Sequence, residues 1–154
     1  MTTQRRRQSA RARFFSKRVA GWIFIDMFRI SIPIFLTNKH CVDVLEYEGI
    51  ETLPDYTHRV DGYAGWGQNK DGSRLHYVML PQDSTTNTWV YEASHLTDFI
   101  IDFLGLDPSI DGTETRAYLL GHIFSSIEDI MLPLQEQLTI PEIVTAAPYN
   151  EKPI

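Results

Sequence analysis

Tyr91-Glu92-Ala93-Ser94-His95 differs at one position from the pattern HExxH. That pattern sets two imidazoles at i and i+4 on one helix face around zinc, and its glutamate is the general base on the metal-bound water. Glu92 stands at the position of the base and His95 at that of the second imidazole, while Tyr91 stands where the first imidazole belongs. A third ligand must come from elsewhere, and Glu114, 19 residues after His95, is the candidate. A tyrosine oxygen can bind a metal, but with an ordinary pKa of about 10 it must first lose a proton. Asp98, one turn beyond His95, and His122, two turns beyond Glu114, are the groups that would compensate. Each residue also has a reading without metal: a packed tyrosine, an interhelical histidine, solvated acids at Asp98 and Asp102, and at Glu114 a first-turn acid facing the helix dipole.

These side chains need two helices to position them. From residue 88 to residue 104, Trp89, Ala93, Leu96, Phe99, Ile100, Phe103 and Leu104 make an apolar stripe, and Gly105 is a stop. Tyr91, His95, Asp98 and Asp102 recur at spacings of three and four, near one face. A second helix is expected over 113–131, with Thr113 as N-cap, Glu114, Tyr118 and His122 four apart, and Pro133 as terminator. Ahead of the pair, Ile30, Ile32 and Ile34 alternate with polar residues or proline, which reads as a strand with Pro33 at an edge or strand end. Residues 41–48, CVDVLEYE, read as another strand, and Ser73–Leu80 as a third. Residues 50–73, with Gly62, Gly65, Gly67 and Gly72, read as loop, with one short strand near Tyr56–Val60. Trp66 reads as an aromatic lid on the core. The expected fold class is α+β, a small mixed β-sheet packed against two core helices, with the sheet drawn from residues 29–80.

The segments LHYVMLP, EASHLTDFIIDFLGL and ETRAYLLGHI, within residues 73–123, resemble phage-encoded zinc-metallopeptidase-like proteins of the gluzincin type. The resemblance covers about a third of the chain. It implies a zincin-like arrangement in which Glu92 is the general base and His95 and Glu114 are zinc ligands. The sequence departs from the family at Tyr91, in the first imidazole position, and at Tyr118, where no acid follows four residues after Glu114.

The charge of the chain is divided. The formal net charge is −6, yet residues 1–18 carry Arg5, Arg6, Arg7, Arg11, Arg13, Lys17 and Arg18 and no acid. The rest of the chain holds seven basic and 20 acidic residues, −13 in all. The arm reads as a contact for nucleic-acid phosphates, as a dock for an acidic protein, or as an organellar transit peptide, and it is expected to contribute little to the core. Residues 9–27 are expected to be an amphipathic helix, from Phe15, Val19, Trp22 and Ile23. The run VAGWIFIDMFRISIPIFL is the most apolar, but Asp26 and Arg29 would each cost roughly 2.5–3.5 kcal/mol at a bilayer centre, and no transmembrane segment is expected. The same two charges argue against a secretory signal. One cysteine, Cys41, excludes an internal disulfide framework and a cysteine-rich zinc site. No P-loop or dinucleotide fingerprint is present. His40, His58 and His76 lack ligand spacing and read as structural or surface residues.

The expected organisation is a basic arm over 1–18, one zincin-like domain over 19–135 and an extended tail over 136–154. The leading functional expectation is a metallopeptidase-like domain with a degenerate zinc site, used for binding or virion assembly. Its partners would be other virion or host proteins, with nucleic acid a candidate partner of the arm, and its location the virion or the host cytoplasm. Two alternatives stand beside it: an active zinc peptidase with Glu92 as base, and a protein of the organelle matrix whose arm is a transit peptide. No cofactor other than zinc is expected.

Overall fold

In the computed structural model, which describes residues 3–54, 61–107 and 110–146, the apolar run after the arm is a β-hairpin. Strand β1 (Gly21–Ile25) pairs antiparallel with β2 (Ile30–Phe35), from Gly21↔Ile34 to Ile25↔Ile30. A 3-10 turn at Asp26–Phe28 and Arg29, left-handed at φ 55°, form the tip. Asp26 and Arg29 are therefore exposed at a bend, which is why charge can interrupt so apolar a run. The helix expected over 9–27 is corrected. Helix α1 (Thr3–Ser16) stops earlier, and Ile23 and Ile25 are buried on either side of exposed Phe24, a period of two. β-Branched side chains suit that pleated pairing better than a helix.

Residues 41–48 are also corrected, from strand to helix. Helix α2 (Asn38–Tyr47) opens at Thr37, whose Oγ1 accepts from the His40 amide at 3.1 Å. Its buried residues are Cys41, Val44 and Leu45, the i, i+3, i+4 pattern of a helix face. The alternation in CVDVLEYE fits either period, and the cap with that buried face decides it.

The glycine-rich segment expected as loop contains strand β3 (Tyr63–Gln68), antiparallel to β4 (Arg74–Met79) from Tyr63↔Met79 to Gln68↔Arg74. The strand expected near Tyr56–Val60 lies outside the described residues. The glycines of β3 serve close packing. A Cβ on Gly65 would lie 2.7 Å from the Tyr77 hydroxyl, and one on Gly67 would lie 2.5 Å from Ile50 Cγ2. The sheet order is β1-β2-β4-β3, with β2 and β4 parallel at Ile34↔Val78 and Phe35↔Met79. Pro33 is thus in an inner strand rather than an edge one. It is tolerated because the pairing with β4 begins only at Ile34.

Helix α3 (Thr86–Leu104) starts two residues before the expected Thr88, with Thr85 as N-cap, and ends at Gly105 with φ 68°. Helix α4 (Ile110–Ala146) begins before Thr113 and runs through Pro133. The extended tail is therefore corrected over residues 136–146, which are helical; residues 147–154 lie outside the described part. Tertiary contacts override the proline: Met131 is buried, Gln82 donates to the Leu134 carbonyl at 2.8 Å, and Gln135 donates to Gln82 and Ser84 carbonyls.

The mixed sheet, with helices on both faces, is an α+β fold with two cores. Ile23, Ile25, Ile32, Ile34 and Val78 face α3 and α4, against Trp89, Leu96, Ile100, Leu119, Ile123 and Ile127. On the other face Phe35, Tyr63, Tyr77 and Met79 meet Cys41, Val44 and Leu45 of α2 and Phe15 of α1. The expected two-helix layer is thus one of two helical layers. The arm is not separate from the body, since Phe15 is 7% exposed within the second core. No helix among the described residues is long and apolar enough to cross a membrane.

Candidate functional site

Helix α3 crosses the face of β3 and β4, and α4 lies against α3. On α3, Glu92 points into the sheet and is 5% exposed. Burial pushes its carboxyl above the ordinary range, while the nearby His95 and a hydrogen bond from the Ala64 backbone oppose that shift. His95 is half-buried, with the Tyr91 ring edge-on at 4.6 Å and the Phe99 ring stacked at 6.2 Å. Tyr91 itself is 63% exposed.

The remaining candidates are engaged elsewhere or face water. Asp98 accepts from Arg116 Nε at 3.1 Å, and the same guanidinium donates to Ser94 Oγ at 3.1 Å. His122 donates from Nε2 to the Phe24 carbonyl at 2.6 Å, which fastens α4 to β1, and its ring stacks on Tyr118 at 5.9 Å. Glu114 is exposed in the first turns of α4. Among the described residues no group of three or more His, Cys, Asp or Glu is placed to hold a metal ion. The structure therefore brings Tyr91, Glu92 and His95 together on one helix, but does not gather His95, Glu114, Asp98 and His122 into a ligand set. Among the described residues these candidates do not fit a zinc centre: Asp98 is held by a guanidinium, His122 by the Phe24 carbonyl, and Glu114 and Tyr91 are exposed.

Arg116 is the residue that sequence reasoning missed. Its signal is slight, a cation two residues after Glu114, because pairing across two helices depends on how they cross. A second missed group joins β3 and β4 to the C-terminal end of α3. Arg74 sits 3.7 Å from the Trp66 ring centroid and 4.9 Å from that of Phe103, a cation between two aromatic faces. Trp66 is thus 40% exposed over Arg74, not a lid on the core. Below it His76, 2% exposed, packs against Phe103 at 5.5 Å. Burial lowers the His76 pKa to about 4, with the charge of Arg74 adding to the effect and a hydrogen bond to the Phe99 backbone opposing it. His76 is therefore neutral near pH 7, a structural histidine, while His58 lies outside the described residues.

Cys41 is fully buried, and burial pushes its thiol up to about 12, which removes it as a nucleophile. A cleft of about 470 Å³ lies between Gly49, Glu51 and Thr52 on one side and Trp66–Lys70 on the other. None of its lining residues belongs to α3 or α4, so it does not open onto Glu92 or His95. The basic arm contributes two clamps. Arg11 reaches Glu48 at 2.7 Å and Arg18 reaches Asp43 at 3.3 Å. Compared with protein-family models, with curated proteins and with solved structures, the chain matches none.

Proposed function

We propose that the chain is a metallopeptidase-like domain with a degenerate zinc site, working as a non-catalytic binding or assembly module. The observation that carries this reading is Arg116. The cation that joins α3 to α4 is a guanidinium held by Asp98 and Ser94, so one compensating ligand is already neutralised by protein. Exposed Tyr91 at the first imidazole position points the same way. The resemblance of residues 73–123 supplies the setting, a phage virion component in the virion or the host cytoplasm with virion or host proteins as partners.

A second reading, an active zinc peptidase, has one observation on its side: Glu92 is a buried carboxyl with a raised pKa beside a histidine, a property common in catalytic bases. Calorimetric zinc titration separates the two. Wild type is expected to retain well under one zinc per chain through dialysis and to cleave no peptide. Tyr91→His, which sets two imidazoles one turn apart on α3, should gain at least about tenfold in zinc affinity, and adding His95→Ala should remove that gain. Stoichiometric zinc in wild type, lost on His95→Ala, overturns the proposal. The transit-peptide reading is tested by N-terminal sequencing of protein from its native source, and the burial of Phe15 weighs toward an arm that is retained.

A further inference from the structure

Five of the seven basic residues of the arm fall into two groups that the sequence alone does not separate. Arg11 and Arg18 hold the arm down. Arg11 pairs with Glu48 and lies 4.2 Å over the Phe15 ring, while Arg18 pairs with Asp43 and lies 3.9 Å over the Phe14 ring. Phe14 stacks on Tyr47 at 4.5 Å, and Phe15 meets Tyr47 and Trp22 edge-on. Helix α1 is therefore fixed to α2 along one side.

Arg6, Arg13 and Lys17 lie elsewhere. Their spacing, i, i+7 and i+11, fits one line along a helix axis, well round from Phe15 and Arg11; Lys17 lies one residue past the end of α1, with its amide still donating to the Arg13 carbonyl at 3.4 Å. All three are exposed, and among the described residues none has a carboxylate partner. Their neighbours on that side are small: Ser9, Ala10 and Ser16. Bulky side chains would hold a flat partner away, and these do not. From Arg6 to Lys17 the line is about 16 Å long at 1.5 Å per residue. Duplex nucleic acid carries one phosphate charge per about 1.7 Å of its axis, both strands counted, so a length equal to the line carries about nine charges, of which those on the near side face it.

We propose that Arg6, Arg13 and Lys17 form a binding site for the phosphate backbone of duplex DNA, with α1 as a rigid, pre-docked platform. Single strands are the poorer fit, because they bind by stacking bases on aromatic side chains, and both aromatics of α1 are packed against the body. Binding is indifferent to sequence, since it reaches phosphates and not base edges. It is also confined to the arm, because the chain beyond residue 18 carries −13 and repels a polyanion. The site is independent of whether any metal is held near His95.

The test uses the full chain and a 30-base-pair DNA duplex of arbitrary sequence, with affinity measured by fluorescence anisotropy between 50 and 200 mM salt. Three phosphate contacts give a slope of log affinity on log salt of about −2.7, a loss of roughly 40-fold across that range. Each of Arg6→Gln, Arg13→Gln and Lys17→Gln should reduce the slope by about one. The triple variant Arg6→Glu/Arg13→Glu/Lys17→Glu should abolish binding while its unfolding curve stays that of wild type. Arg11→Gln is the converse control: it should leave the salt slope in place and shift the unfolding midpoint only slightly. Absence of binding at 50 mM salt, binding that survives the triple variant, or affinity indifferent to salt would overturn the proposal. So would a triple variant whose only change is in self-association, since the stripe would then serve a second copy of the chain.

Discussion

Glu92 is an acid at a cost to the fold. Its carboxyl is buried under the sheet, and its folded pKa lies above the ordinary value of 4.5 because burial disfavours the charge. The sign follows from linkage: the folded state holds this proton more tightly than the unfolded state does. The contribution to stability is fully present below about pH 4.5 and is lost as pH rises through the raised folded value. Glu92→Gln keeps an acceptor for the Ala64 backbone and removes the charge. It should stabilise the chain at pH 8 by about 0.5–2 kcal/mol, the usual scale of single stabilising changes, and give no difference at pH 4. Urea unfolding at the two pH values checks this. An equal effect at both, or a loss at pH 8, would mean that the carboxylate is satisfied where it lies. Removing the His76 ring is a poorer probe, because its burial beside Arg74 and Phe103 mixes packing with charge.

At the scale of elements, β3 depends on its glycines. Gly67 leaves room for Ile50, whose Cγ2 would stand 2.5 Å from an added Cβ. Gly67→Ala must displace that side chain, and overpacking of this kind typically costs about 1–3 kcal/mol. In an Ile50→Ala background the space is already open. The same substitution should then cost well under half as much, so the double-mutant cycle should show a coupling of about 1 kcal/mol or more. Additive effects would place the strain in the strand backbone instead. This glycine pattern also explains why β3 reads as a loop. Glycine signals turns because it is free of steric limits, but here the same lack of a side chain admits Ile50 and Tyr77 against the strand.

For the whole molecule, the arm belongs to the fold. Phe15 is buried in the second core beside Phe35, Val44 and Leu45, and Phe14 is packed against it. Truncating a buried phenylalanine costs about 3–5 kcal/mol, against a total stability of about 5–15 kcal/mol for a domain. Deleting residues 1–18 should therefore lower stability by at least about 3 kcal/mol, seen as an earlier midpoint in urea. The ion pairs to Glu48 and Asp43 add little, since part-exposed pairs are worth roughly 0–1 kcal/mol. An unchanged midpoint would mean that the arm adds nothing to the stability of the body.

The amino-acid sequence by itself determined the α+β class, the two long helices, the stop at Gly105 and the strand over residues 74–79, because these rest on local period and on caps. It also determined that Tyr91, Glu92 and His95 share one helix, since spacing along a helix is local. What only the tertiary structure decided is how these pieces meet. The hairpin of β1 and β2 needed a partner strand to outweigh a helical reading of residues 21–25, and α2 needed the second core to select one of two periods. Pro133 lies within α4 because contacts with Gln82 and Ser84 hold the turns beyond it. Whether His95, Asp98, Glu114 and His122 converge depends on the crossing of α3, α4 and β1. There Arg116 takes Asp98 and the Phe24 carbonyl takes His122. Side chains on different elements acquire their partners only when the elements pack, and no spacing in a linear chain encodes that geometry.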